Sequence, residues 1–374
     1  MKLYYIANAR MPTEKAHGIQ IAKMCEAFVE EGLDLTLVVP TRATVKKTVR
    51  DYYGLRVEVP LVRLWTPDFY LRGPIGYRIS SYVFMFGYTL FLLSRRLRGE
   101  RFAAYTVDLD NFSSSALPLC GAPVYSEMHG AKPASPSQRF LFTYARGIIA
   151  INRIIVEELK ATFPRSRAEY LIEPNGVDAR AFAPLEKSEA RKRLQLPVSE
   201  ALALYAGRFF DWKGLEILPQ AAALTPDITW HLVGGDEAHF KEFAHEHIPS
   251  NVRFVGSRPH GEMRWWLAAA DVLVVLGTKR DVQSYRYTSP MKLFEYLLAK
   301  RPIVASATPA IREVVSEKEA LLYEPDSAED LARKVTYAVK DAAMTAELVE
   351  EASRKGEASS WNARARRIVK MLHA

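Results

Sequence analysis

Cysteine is almost missing from this chain, with two residues in 374, Cys25 and Cys120, both in apolar surroundings and neither in a CxxC spacing. That excludes a disulfide framework and a thiolate metal site as organising features, and a reducing, cytoplasmic setting is expected. No His/Cys cluster has zinc spacing. No GxGxxG follows a strand pattern, which weighs against an NAD enzyme. Long apolar runs are missing too. The stretch Tyr82 to Leu93 is nearly all apolar or aromatic, but it is too short to span a bilayer. The N-terminus, Met1-Lys2, leads straight into a short strand pattern and lacks the apolar core of a secretory signal, so no cleaved targeting segment is expected.

What is present is enough chain for two domains, each with its own core. The charge is uneven. Residues 1–170 hold 23 Lys/Arg against 15 Asp/Glu, whereas the remainder holds 28 of each, so the whole formal excess of +8 lies in the N-terminal half. A basic half attracts anionic lipid, a phosphorylated acceptor or nucleic acid, or is simply a solvated surface. No nucleic-acid module accompanies it, and no nucleic-acid partner is expected.

Short apolar runs alternate with helical patterns. In the first half they are Leu3 to Ala7, Leu35 to Val39, Val124 to Ser126, Gly147 to Ile151 and Tyr170 to Ile172, with a helix over Ile19 to Glu31. In the second they are Ala201 to Ala206, Thr229 to Val233, Val252 to Val255, Val272 to Leu276, Ile303 to Ala305 and Leu321 to Tyr323. This alternation predicts two α/β domains with doubly wound parallel sheets. A first domain over 1–173, a Pro-bearing connection over 174–200, a second domain over 201–345 and C-terminal helices over 346–374 packing back toward the first domain are the expected divisions.

Ligands of such sheets bind beyond the carboxyl ends of the strands. The loop Asn8 to Gly18, His129, Arg208 and Gly234-Gly235 all follow strand patterns. The strongest pair of segments is Gly207-Arg208-Phe209-Phe210-Asp211-Trp212-Lys213-Gly214 and Thr288-Ser289-Pro290-Met291-Lys292-Leu293-Phe294-Glu295. In the first, Arg208 and Lys213 emerge from a strand-to-helix loop, a place to hold phosphate. In the second, Pro290 suits a first helical turn and Glu295 projects a carboxylate able to grip vicinal hydroxyls. A diphosphate together with a diol describes a nucleotide sugar.

These segments, with Pro174-Asn175-Gly176-Val177-Asp178, Gly234-Gly235 and the C-terminal Ser360-Trp361, resemble the retaining glycosyltransferases of GT-B architecture, of the family 4 type (glycosyl transferases group 1). The resemblance implies two Rossmann-like domains facing across a cleft. It also implies transfer of a sugar, with retention, from a nucleotide-diphosphate sugar to an acceptor hydroxyl, with no cofactor and no metal. One departure stands out: family members commonly carry a Glu eight residues before the one matching Glu295, and Tyr287 stands there.

On this resemblance Arg208 and Lys213 neutralise the leaving phosphate, aided by backbone N–H groups from Ser289 through Met291 to Lys292. Glu295 takes the ribose, His129 meets the donor sugar, and Gly18 lets the chain pass beside phosphate or acceptor. Tyr287 and the amides of Thr288 and Ser289 read the sugar. Ser257 and Arg258, after another strand pattern, are candidate nucleobase contacts, a simple turn being the alternative. For His129 the alternatives are a capped turn or a core histidine. Asp108 and Asp110 form a DxD pair, and lining an acceptor cleft or capping a helix competes with a metal role. The apolar run before Arg95, Arg96, Arg98 and Arg101 is either a buried helix or one lying in a membrane interface, which suits an enzyme peripheral on the inner face of the cell membrane with a lipid-linked or glycan acceptor. The rivals are a nucleotide-sugar epimerase of the same fold and a catalytically weak sugar-nucleotide-binding protein.

Overall fold

A computed structural model describes residues 1–42, 46–242, 244 and 247–374. The chain divides into two compact units, one of Met1–Pro174 with Trp361–Ala374, the other of Asn175–Ser360.

The first unit holds a seven-stranded parallel sheet. Its strands are β1 (Lys2–Ile6), β2 (Asp34–Pro40), β3 (Leu61–Leu64), β4 (Phe102–Val107), β5 (Val124–Met128), β6 (Gly147–Ala150) and β7 (Glu169–Ile172), in the order 3-2-1-4-5-6-7. β1 and β4 are buried on nearly every residue, as expected of strands covered by helices on both faces. β3 is an edge strand with Arg63 inside it, and its weak apolar signal hides it in the sequence.

The second unit holds a six-stranded parallel sheet of β8 (Ala201–Ala206), β9 (Ile228–Val233), β10 (Val252–Gly256), β11 (Val272–Val275), β12 (Ile303–Ser306) and β13 (Leu321–Tyr323), in the order 10-9-8-11-12-13. The expected architecture of two Rossmann-like doubly wound sheets is observed. In each, the strand order reverses beside the first strand, between β1 and β4 and between β8 and β11. Those reversals leave a crevice at the carboxyl ends, where side chains from distant parts of the sequence meet.

The connection read over 174–200 carries a helix, Lys187–Leu194, and belongs to the second unit. The C-terminal helices divide at Ser360. Helix Ala342–Ala358 packs on Met291–Leu298 in the second unit, and helix Trp361–His373 packs on Ala16–Glu30 in the first.

The apolar run Tyr82–Leu93 lies inside one helix, Gly73–Leu97. Its inner face is Gly76, Ser80, Ser81, Phe84, Tyr88 and Leu92. Ile75, Ile79, Tyr82, Phe86 and Leu90, at helical spacing, stay exposed on the other, with Phe86 at 66%. Among the described residues no helix is long and apolar enough to cross a membrane.

Candidate functional site

In the second unit the loop after β8 lies against bare backbone. Gly207 has φ 148° and Gly234 φ 126°, and a Cβ on Gly234 would come within 2.3 Å of the Gly207 carbonyl oxygen. Only glycine allows so close a crossing. The Gly207 amide donates to Val233 O at 2.8 Å, and the buried Phe209 ring packs against Phe240 and Phe254. The loop is thus fixed at both ends of Arg208, whose side chain is exposed.

Lys213 folds back over this loop, its Nζ donating to Arg208 O at 2.8 Å and lying 4.8 Å from the centre of the Phe210 ring. Burial, reinforced by the Arg208 charge, pulls the Lys213 ammonium down to about 8. A third cation joins them from helix Met291–Leu298. Tyr296 anchors that helix to the end of β8, its hydroxyl accepting from the Ala206 amide at 2.9 Å. One turn earlier on the same helix, Lys292 therefore reaches the Gly207 loop. Its Nζ sits 3.7 Å from the Tyr205 ring centre and 3.1 Å from where a Cβ on Gly207 would be. That amine is buried and has no hydrogen-bond partner among the described residues. Burial, with the Lys213 charge beside it, holds it well below the ordinary lysine value. The sequence reading assigned this position a backbone amide; in the structure its side chain reaches the Gly207 loop.

Glu295 lies on the same helix and its Oε1 is 2.8 Å from His260 Nε2. The His260 ring in turn meets Phe182 edge-on at 5.4 Å. The sequence reading missed His260, which lies two residues beyond Arg258. Ser257 and Arg258 are both exposed at the end of β10, the edge strand of this sheet.

The turn Gln283–Tyr287 is stopped by Thr288, whose amide and hydroxyl both donate to Gln283 O, at 2.9 and 2.7 Å. The Thr288 amide is therefore engaged inside the turn. Ser289, buried, is braced by Asn175, which donates from Nδ2 to Ser289 O at 2.8 Å. Pro290 then caps the helix start, and Met291 and Tyr287 are half-buried.

In the first unit His129 follows β5. Glu127 lies two residues earlier and so on the same side of the strand, and its Oε1 is 2.8 Å from His129 Nε2. Glu127 has no solvent exposure and receives hydrogen bonds from Gln20 at 2.8 Å, Tyr105 at 2.5 Å, and Arg364 Nη2 and Nη1 at 2.8 and 3.2 Å. Burial alone would raise its carboxyl; the Arg364 charge and the His129 contact outweigh it and hold the group at about 2.

The DxD pair is taken up locally. Asp108 pairs with Lys132 at 2.7 Å, and burial still pushes its carboxyl up. Asp110 accepts from the amides of Phe112 and Ser113 and from Asn8 and Tyr77. These amides overcome burial and keep it low. Among the described residues no three His, Cys, Asp or Glu side chains are grouped to hold a metal.

Gly18 is required by packing. A Cβ there would fall 2.3 Å from the Tyr53 hydroxyl, which bridges Thr13 N and Thr13 O at 2.7 Å each. Cys25 and Cys120 are both free and buried.

The family model described as Glycosyl transferases group 1 matches residues 186–355, the stretch that carries the Gly207 loop and the Ser289–Glu295 segment. The chain is 25% identical over 363 residues to a Bacillus subtilis protein named as the teichuronic acid biosynthesis glycosyltransferase TuaC, covering 90% of this chain and 88% of that protein. It superposes on sucrose-phosphate synthase from Thermosynechococcus elongatus with a TM-score of 0.77 at 19% identity, covering 100% of this chain and 98% of that one. On HepE from Anabaena, in complex with UDP, the TM-score is 0.73 at 16% identity with both chains fully covered. These likenesses show the fold, the GT-B architecture of two Rossmann-like units.

Proposed function

We propose that the protein is a glycosyltransferase that moves a sugar, with retention of anomeric configuration, from a nucleoside-diphosphate sugar to an acceptor hydroxyl. The observation that carries this reading is the buried Lys292 amine, without a hydrogen-bond partner among the described residues, gathered with Arg208 and Lys213 around the bare backbone of Gly207. Three basic side chains gathered at one glycine loop suit a dianion, and a diphosphate supplies one. HepE, of the same fold, is described in complex with UDP.

In the reaction the sugar's bond to the β-phosphate oxygen breaks while the acceptor oxygen bonds to the same carbon. The acceptor proton passes to the leaving phosphate. Arg208, Lys213 and Lys292 stabilise the charge that grows on that phosphate, and no protein nucleophile is needed. Glu295, oriented by His260, binds the ribose hydroxyls. His129 meets the donor sugar, and Tyr287 offers it one hydroxyl in place of a carboxylate. The donor is a UDP- or GDP-sugar, and the chemistry is independent of metal because Asp108 and Asp110 are committed to Lys132 and to local amides.

The acceptor is a glycan or lipid-linked glycan at a membrane, in keeping with the name of the Bacillus subtilis relative. The apolar outer face of helix Gly73–Leu97, flanked by exposed Arg72, Arg78, Arg96, Arg98 and Arg101, suits an anionic lipid surface. The test of the core reading is release of nucleoside diphosphate from UDP- and GDP-sugars with and without lipid-linked acceptors. Acceptor-dependent release, insensitive to EDTA, with the product's anomeric proton coupling matching the donor's, is expected. Isomerisation of the donor without any acceptor, or no turnover despite donor binding, would replace this reading by an epimerase or a binding protein. Binding to anionic liposomes, lost when Arg95, Arg96 and Arg98 become Glu, is the expected result for the membrane face.

A further inference from the structure

We infer that Arg364, carried by the last helix of the chain, is a positioning residue for His129, acting through the buried carboxylate of Glu127. The inference rests on the reading of His129 as a donor-sugar contact. The geometry is a relay of three side chains. Arg364 grips both carboxylate oxygens of Glu127, at 2.8 and 3.2 Å, and Glu127 Oε1 lies 2.8 Å from His129 Nε2. Arg364 is 1% exposed and Glu127 0%. Its own donors are spread further, Nε to Pro174 O at 2.8 Å and Nη2 to Glu173 O at 3.2 Å, so the guanidinium plane is fixed.

The chemistry follows from which groups carry hydrogen. An ionised carboxylate only accepts, so the ring nitrogen facing Glu127 must be an N–H. The neutral imidazole is therefore the Nε2–H tautomer, with Nδ1 as the ring's acceptor. This holds only while Glu127 is ionised. At full burial a carboxyl loses its charge unless a cation is beside it, and Arg364 is the cation that lies against both oxygens. A protonated Glu127 would donate toward Nε2 and turn the ring into the other tautomer. Around the His129 imidazole stand Glu127 from the same strand, Gln20 from helix Ala16–Glu30, which shares Glu127 Oε1, and Asp108 with its partner Lys132. Of these only Glu127 has its charge state tied to a residue more than two hundred positions away. The sequence separation of 237 also means that His129 is set correctly only once the end of the chain has folded onto the first unit.

The test uses the full-length protein and two readouts. Nitrogen-15 NMR of the imidazoles, at a pH where the rings are neutral and with His129 assigned by its loss in His129→Gln, is expected to show the Nε2–H tautomer. Arg364→Gln is expected to lose it, and Arg364→Lys, which keeps a charge, to retain it. An unchanged tautomer in folded Arg364→Gln overturns the inference, whether or not the protein transfers sugar. The second readout is kinetic. Arg364→Gln is expected to lower kcat on the order of ten- to a hundredfold with little change in KM, as loss of an outer partner of a functional histidine does. Should Arg364→Gln not fold, the double variant Glu127→Gln/Arg364→Gln removes both charges together. It is expected to fold, with kcat still low; full recovery of kcat alongside stability would show a purely structural pair and overturn the inference. If the wild-type protein transfers no sugar at all, the functional reading falls and the NMR result still decides this one.

Discussion

The two crevices at the strand reversals are built from the same topology and filled in opposite ways. In the first unit the carboxylates Glu127, Asp108 and Asp110 each have partners among the described residues: Glu127 has Arg364, Asp108 has Lys132, and Asp110 has Asn8, Tyr77 and two amides. In the second, Arg208, Lys213 and Lys292 collect at one glycine loop, and the Lys292 amine, over the Tyr205 ring, has no hydrogen-bond partner among the described residues. A closed polar network fixes side chains and is complete without a ligand. An open cluster of cations is strained until an anion arrives. On the proposed function the first crevice positions side chains and the second stabilises charge.

The sharpest way to break that contrast is to remove the open charge. Lys292→Met should lower turnover on the order of a hundredfold or more while raising the melting temperature of the unliganded protein, because a buried unpaired amine is exchanged for an apolar chain of similar length. Activity assays and thermal unfolding check both signs; a loss of stability would show that the amine is satisfied in the free protein. The closed side should answer in reverse. Arg364→Gln leaves Glu127 buried without its cation and is expected to cost about 3–5 kcal/mol in denaturant unfolding. A cost near zero would mean that the network is not the anchor it looks to be.

A smaller effect is read by pH. The Lys213 ammonium, at about 8 in the fold against an ordinary 10.5, sheds its proton earlier than in the unfolded chain. Its unfavourable contribution to stability is therefore fully present below about pH 8 and is relieved as pH rises toward 10.5, since the unfolded chain then holds the extra proton. Diphosphate binding needs the charged form and should weaken through the same window. The smallest expected effect is at Tyr287. Tyr287→Phe should weaken binding of a sugar nucleotide modestly and leave the bare nucleoside diphosphate unaffected, whereas Glu295→Ala weakens both. Equal effects of Tyr287→Phe on the two ligands would remove it from sugar recognition.

How much of this was legible in the sequence depended on distance along the chain. Most strands and their alternation were visible because they are short apolar runs, as in Ala201 to Ala206; β3, an edge strand with Arg63 in it, lacks that signal, and the central β4, Phe102–Val107, was also not among the strands read. Arg208 and Lys213 were visible because a strand, a glycine and a helix start are local. The Lys292 amine was not, since only the Tyr296 anchor to β8 shows where its helix sits. Asn175 read as a turn residue, and its grip on Ser289, 114 positions away, is a product of the fold. Glu127 and Arg364 drew no reading from the sequence, being types that elsewhere face water, and only burial and their contact reveal them as a pair. Gly18 was read as a glycine that lets the chain pass beside phosphate or acceptor; what lies against it in this structure is the Tyr53 hydroxyl.

The central claim, that the cations around Gly207 receive a diphosphate, is tested most directly by titration calorimetry of UDP and GDP near pH 8 in buffers of different ionisation enthalpy. An anion entering this loop opposes the burial that depresses Lys213 and Lys292 and so favours their protonated forms. The account predicts net proton uptake on binding of the diphosphate, absent for the bare nucleoside and reduced in Lys292→Met. Binding without proton uptake, or nucleoside and diphosphate bound equally well, would contradict it.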